Sequence, residues 1–441
     1  MVDLQQPPRA ASSRALDALL GLCVGMLLFG DYLTLTVSRA ITGSSGNWIA
    51  FAAVLQPTIV LLMLLVGQVR ARLPIPLLLA FAGLCAIGFG HAVPVWLHGN
   101  ELSEYSGQKL ASLFLLLGPA LVCGMLVGYR SELPGARSMP WLMAPLLVLV
   151  GISIATNPRL LTIEYFADPP VFFGFLVMPA HQPLALCLTK AALLCFALDQ
   201  RADSARSGRL LRLGFVGSML GLVLLTGARS YALALVVALA AQSLISGRRL
   251  GLLLVGTAVA AFLFQSLASD LVQDRFDPGQ VLESLAYRER ELVWQTAWAA
   301  FLEHPLVGVG AGCFASSGGW HGRVYPHNLP LEVAAEFGLC GLACLVVMLA
   351  IPVFHAVVML RRREHPSSAG VFALGLLVFG FGGALAVGDL IRNYFLWFAL
   401  GMAATSLRPR TTPAAQTQTR TPHTHRVLGA AAARPAAEAT G

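Results

Sequence analysis

Apolar windows of bilayer length recur along this chain, and they constrain it more than any motif does. A helix needs about 20 apolar residues to cross about 30 Å of hydrocarbon, because no water is present there to satisfy its backbone. Twelve such windows are read near residues 15 to 37, 48 to 69, 74 to 97, 110 to 129, 139 to 155, 182 to 199, 210 to 227, 230 to 246, 250 to 267, 331 to 360, 369 to 388 and 391 to 406. Only 12% of residues are charged, against about 25% in soluble domains, and 56% are apolar. Mean hydropathy is +0.72. The expected class is an all-α polytopic membrane protein with about 12 transmembrane helices. In a soluble chain the net charge of +8 would suggest nucleic acid. Here the basic residues are first sorted by membrane side, and no nucleic-acid partner is expected.

The loops alternate in charge. Arg9 and Arg14, Arg70 and Arg72, Arg130 and Arg137, Arg201 through Arg212, Arg248 and Arg249, Arg361 to Arg363 and the tail from Arg408 fall on one side. The positive-inside rule makes that side the cytoplasm and puts both termini there. The short or acidic connections fall opposite: Glu101 and Glu104, Glu164 and Asp168, the Arg229 turn, residues 268–330 and the turn from Asp389 to Arg392. The expected organisation is a cytoplasmic N-terminus at 1–14, transmembrane helices 1 to 9 over 15–267, a large periplasmic loop over 268–330, transmembrane helices 10 to 12 over 331–406 and a disordered cytoplasmic tail over 407–441. The polar start runs straight into apolar residues without a small-residue cleavage site, so the first span reads as uncleaved. Of the eight cysteines only Cys313 lies away from apolar segments, which implies no disulfide framework.

The long loop is expected to carry an interfacial helix. Asp277-Pro278 is a helix start, Leu282, Leu285, Leu292, Trp298, Phe301 and Leu302 form an apolar stripe, and Pro305 marks the end. Gly308, Gly310 and Gly312 then turn the chain. No strand precedes these glycines and no Lys-Ser or Lys-Thr follows, so they read as a turn and not as a phosphate loop. The sequence has no Asp-x-Asp, Glu-x-Asp or His-Glu-x-x-His, and neither a catalytic metal nor another cofactor is expected.

The candidate chemistry therefore lies in one histidine and a set of arginines. Asn328 can cap the helix beginning at Leu329, which sets His327 beside free N–H groups and the positive end of the helix dipole. A neutral imidazole there can accept a proton, and the same helix end can hold a phosphate oxygen. Arg229 sits in a turn between two spans, where a charge is costly unless partnered or functional. Arg288 and Arg290 lie on the interfacial helix, and Asp389 and Arg392 share another short turn. Lys190 and Asp31 lie within spans and are not expected to be catalytic.

These residues carry a resemblance. His304-Pro-Leu-Val-Gly-Val-Gly-Ala-Gly-Cys-Phe314, Tyr325-Pro-His327-Asn328 and Glu336-Phe-Gly338 resemble the signature of the O-antigen ligase and polymerase superfamily. The ligase branch has His-Asn, nine residues, then Gly-x-x-Gly; this chain has His327-Asn328, residues 329 to 337, Gly338 and Gly341. The family's Arg-x-x-x-Leu is matched by Arg288 to Leu292, and its Gly-Ala-Arg-Ser-type turn by Arg229. The detailed resemblance covers about residues 210 to 345.

The resemblance implies a glycosyltransferase of the integral-membrane C type in the bacterial inner membrane. It would move a polysaccharide from undecaprenyl pyrophosphate to the lipid A core oligosaccharide at the periplasmic face. His327 would be the base, with Arg229 and Arg288 on the pyrophosphate and Arg290 and Arg392 beside them. Tyr325, Asn328, Glu336 and Asp389 complete the candidate site, the two acids as reserve bases or orienting groups. A polymerase of the same superfamily is the alternative reading. A transporter, more distant, would show paired repeats and charges near the midplane, whereas the charges here cluster at the outer face.

Overall fold

A computed structural model of the protein describes residues 18–30, 54–61, 74–98, 103–129, 181–198, 214–221, 229–247, 285–315, 325–386, 389–391 and 393–409, with residues 144, 145, 148, 223 and 256. The expected spans near 139 to 155 and 250 to 267, apart from residues 144, 145, 148 and 256, lie outside these residues, as do the helix start at Asp277-Pro278, Arg392 and nearly all of the tail. Among the described residues all regular structure is helical. The longer helices are α1 (Ala18–Gly30), α2 (Ile75–Leu97), α3 (Glu104–Gly128), α4 (His181–Leu198), α5 (Arg229–Ser246), α6 (Leu285–Glu303), α7 (Leu329–Arg362), α8 (Ser368–Ala384) and α9 (Tyr394–Ser406).

Three of them, α2, α3 and α7, are long and apolar enough to cross a membrane, and α1, α8 and α9 are shorter apolar helices. Large apolar side chains stay exposed along α2 and α7, among them Ile75, Leu79, Val346, Val353 and Phe354. A soluble protein would bury so continuous a face, and a bilayer covers it. These features are consistent with a membrane protein; the count of twelve spans remains an expectation.

Local chemistry sets the ends. Asn328 at φ −149 and ψ 108 caps α7 by accepting from Leu331 N–H, Pro330 occupies its first turn, and Arg363 in the left-handed region closes it after Arg361 and Arg362. Ser103 caps α3 by accepting from Ser106 N–H, and Ser367 caps α8 through Gly370 N–H. Within α3 the stretch Leu113–Leu117 widens into a π-turn immediately before Pro119. Proline has no N–H to donate and its ring crowds the carbonyl four residues back, so one wide turn lets the helix continue.

Small residues hold the helices together, as lipid-embedded packing requires. A Cβ on Gly124 would stand 1.9 Å from the Phe398 carbonyl oxygen, and one on Gly401 would stand 2.0 Å from that of Leu121. Helices α3 and α9 thus touch backbone to backbone. Gly83 faces Cys344 and Gly88 faces Phe337, so α2 runs antiparallel to α7. Gly375 meets Gln242 and Gly382 meets Ala234, so α8 runs antiparallel to α5. The starts of α3, α5 and α7 therefore share one end of the bundle with the end of α8. That is the grouping expected from the loop charges.

Candidate active site

The site is organised by a break in α7. Gly338 has φ 62 and ψ −160, so α7 is a half-helix over residues 329–337 followed by a long helix to Arg362. A break leaves carbonyls unpaired on one side and N–H groups on the other. The preceding loop fills both. Val309 and Gly310 N–H donate to the Ala335 and Glu336 carbonyls at 2.9 and 3.0 Å. Leu339 and Cys340 N–H donate to the Pro305 and Leu306 carbonyls at 2.8 and 3.1 Å. The glycine run, expected as a simple turn, is thus an insert that replaces the missing helix bonds.

This insert also explains the glycines. A Cβ on Gly308 would lie 2.3 Å from the Glu336 carbonyl carbon, and one on Gly338 2.4 Å from that of Leu306. The loop is pinned from other sides too. His91 Nε2–H on α2 donates to the Val307 carbonyl at 2.9 Å, and a Cβ on Gly312 would lie 2.7 Å from Ser106 Cα on α3.

His327 stands just before the start of the half-helix. Its φ of 57 is in the left-handed region, where histidine is tolerated at a cost of about 1–2 kcal/mol. Neighbours hold that conformation. The Tyr325 ring lies 4.4 Å from the imidazole centroid to centroid, Trp294 Nε1–H on α6 donates to the Pro326 carbonyl at 2.8 Å, and Asn328 Nδ2–H donates to the Leu385 carbonyl at 3.1 Å. The Tyr-Pro-His-Asn turn is therefore strung between α6 and the end of α8. Helix α6 ends at Glu303 just before Pro305, as expected, but its buried face is Val293, Ala297 and Ala300, packed on Phe314 and Ala335. Leu292, Trp298 and Leu302, expected in the same stripe as buried Phe301, remain exposed.

Beneath the histidine turn lies an ionic cluster. Lys109 on α3 is fully buried and its Nζ hydrogen-bonds Glu332, with Glu336 in an ion pair at 2.7 Å. The other Glu332 oxygen accepts from Leu390 N–H at 3.0 Å. Next to Leu390, Asp389 Oδ2 accepts from Tyr105 O–H at 3.3 Å, and the Asp389 carbonyl accepts from Asn393 Nδ2–H at 2.8 Å. Glu336 and Asp389 are thus both buried, Glu336 against an ammonium two residues before the kink.

The arginines are placed by their helices. Arg229 is the first residue of α5, and Tyr231 two residues on packs against Gly383 and Phe379 of α8, near the Leu385 carbonyl that Asn328 reaches. Arg288 lies in the first turn of α6, and half-buried Arg290 lies one turn before Trp294. Arg229, His327, Asn328 and Asp389 therefore belong to one end of the bundle, with α6 tied to it through Trp294. Arg392 lies outside the described residues. A cavity of about 650 Å³ lies at the opposite end, lined by Ile75, Tyr129, Phe354, His355, Thr405 and Arg408.

Sequence reasoning missed Lys109, Glu332, Tyr105 and Trp294. A signal was present: the chain has two lysines, and Glu332 and Glu336 stand one turn apart just after His327-Asn328, inside an apolar run. A comparison with curated proteins found no match. Residues 214–346 of the 441, which include α5, α6, the glycine insert, the His327 turn and the kink, match the family model described as O-Antigen ligase, and this match supports the O-antigen ligase superfamily.

Proposed function

We propose that the chain is a glycosyltransferase that moves a polysaccharide from undecaprenyl pyrophosphate to the lipid A core oligosaccharide. The reaction would take place at the periplasmic face of the inner membrane, with both termini cytoplasmic. The observation that carries this reading is the Tyr325-Pro326-His327-Asn328 turn, fixed in a costly backbone conformation at the start of a half-helix. Backbone outliers over-determined by their surroundings point to function. The family match supports an enzyme of the O-antigen ligase and polymerase superfamily, and the spacing from His327-Asn328 to Gly338 and Gly341 favours the ligase branch.

In the proposed step an acceptor hydroxyl oxygen attacks the anomeric carbon while His327 takes its proton. The bond from that carbon to the pyrophosphate oxygen breaks, and its electron pair leaves with undecaprenyl pyrophosphate. Arg229 and Arg288, with Arg290 and Arg392, bind this leaving group by charge-assisted hydrogen bonds that strengthen as charge develops. A single displacement inverts the anomeric configuration.

The test is reconstitution in EDTA with lipid-linked glycan and rough lipopolysaccharide. His327→Ala and Arg288→Ala are each expected to lose about 100-fold or more in rate, the scale of positioned acid–base and electrostatic catalysis. Full activity in both variants would remove the site. Transfer only onto a second lipid-linked glycan would make the protein a polymerase.

A further inference from the structure

We infer that Lys109 is a positioning residue for the transfer reaction, acting through Glu332 and Glu336 to hold the half-helix that begins beside His327. This inference rests on the function proposed above.

The half-helix over 329–337 is short and is broken from the rest of α7 at Gly338. An element of that length does not hold its own direction in a membrane protein and depends on tertiary contacts. One end is fixed by the Asn328 cap and the Trp294 bond to Pro326, the other by the insert from Pro305 to Gly310. Its flank is fixed by Lys109. Glu332 and Glu336 are four residues apart and so share a face, and a single ammonium from α3 engages both. All three side chains are fully buried.

The same carboxylate reaches a third segment. Glu332 takes one hydrogen bond from Lys109 and one from Leu390 N–H, while Tyr105, one turn before Lys109, donates to Asp389. Residues 105–109, 332–336 and 389–390 are thereby locked in one register. A buried ionic cluster is a poor device for stability alone, since an apolar replacement of similar volume is often as stable. Its better-attested use is to specify one arrangement among several, because carboxylate and ammonium accept few geometries. Beside a catalytic turn, register sets rate: displacement by about 1 Å can cost about 100-fold.

The experiment compares wild type, Lys109→Met, Glu332→Gln and the triple Lys109→Met/Glu332→Met/Glu336→Met variant, all full-length in proteoliposomes. Donor turnover is read as release of the lipid pyrophosphate per folded protein, which counts ligase and polymerase activity alike. Lys109→Met and Glu332→Gln are expected to lose about 10-fold or more in kcat with donor KM within about twofold, the signature of lost transition-state alignment. The triple variant is expected to regain the thermal midpoint and not the rate. Wild-type kcat in folded Lys109→Met, or wild-type kcat in the triple variant, would overturn the inference. If Lys109→Met does not fold, Glu332→Gln and the triple variant decide by the same criteria. If the triple variant also fails to fold, Glu332→Gln decides alone, and wild-type kcat there overturns the inference. His327→Ala in the same assay separates the two readings. Loss there with wild-type kcat in the lysine variants refutes only the positioning role, whereas wild-type turnover in His327→Ala refutes the catalytic reading itself.

Discussion

At Gly338 the backbone has φ 62 and ψ −160, a region essentially confined to glycine, and a Cβ would stand 2.4 Å from the Leu306 carbonyl carbon. The neighbour is backbone, held by the bonds of the insert, so it has no side-chain freedom with which to give way. Gly338→Ala is therefore expected to destabilise the protein by about 3 kcal/mol or more, read as a fall in thermal midpoint in detergent. Gly90 is the control, since it lies in α2 with nothing within 4 Å of its Cβ position. Gly90→Ala should be neutral or stabilising by up to about 1 kcal/mol. Equal effects at the two positions would mean that the insert does not close on the kink. His327 also has positive φ, but as a histidine held by Tyr325, Trp294 and Asn328 and not by a lack of space. At this scale the Asn328 cap was legible in the sequence. Lys109 was not, because Glu332, which helps make a buried lysine tolerable, lies 223 residues away.

Among the helices, α1 is tied to its neighbours through its own backbone carbonyls. Its carbonyls at Leu27, Leu28 and Phe29 accept from Tyr394 O–H at 3.3 Å, Lys190 Nζ at 2.6 Å and Cys187 S–H at 3.8 Å. The ammonium also lies 5.0 Å from the Phe395 ring centroid. A buried ammonium is costly unless it finds acceptors, and the Leu28 carbonyl and the Phe395 ring supply them. Lys190→Met keeps the stem and removes the donor, so a loss of about 1–3 kcal/mol is expected in the same thermal assay. An unchanged midpoint would show that the packing of α1 on α4 does not depend on it. The sequence placed Lys190 within a span but could not assign it this role, which requires knowing that α1 packs beside α4. Element starts were more legible than element interiors. Asn328, Leu329 and Pro330 announce α7, yet the break at Gly338 is invisible in a window of uniform apolarity, and residues 331 to 360 read as one span. The apolar stripe of α6 was expected to lie along the membrane interface, and the face that packs on Phe314 and Ala335 is a different one. Helices packed in an apolar surrounding put small residues inward, so Ala297 and Ala300 are buried and Leu292 and Trp298 are not.

The whole molecule has two chemically unlike ends. One gathers the His327 turn, Asp389, the start of α5 with Arg229 and the cap of α3; the other carries Arg361 to Arg363 and Arg408. The alternation of loop charge is a signal of a different kind, because basic residues flanking a span obey a membrane-wide rule that needs no tertiary detail. Which end faces which compartment follows only from that rule, and it can be measured directly. In a variant whose native cysteines are replaced, His304→Cys places a thiol on the exposed loop before the insert, and Glu364→Cys places one just past α7 at the opposite end. A membrane-impermeant maleimide added to cells with a permeabilised outer membrane should label His304→Cys without lysis. Glu364→Cys should label only after the inner membrane is opened. Both positions lie outside the apolar windows, so the reagent reaches each once its compartment is accessible. The reverse pattern would turn the His327 end toward the cytoplasm, away from the compartment in which the proposed transfer takes place, and the function would have to be sought there instead.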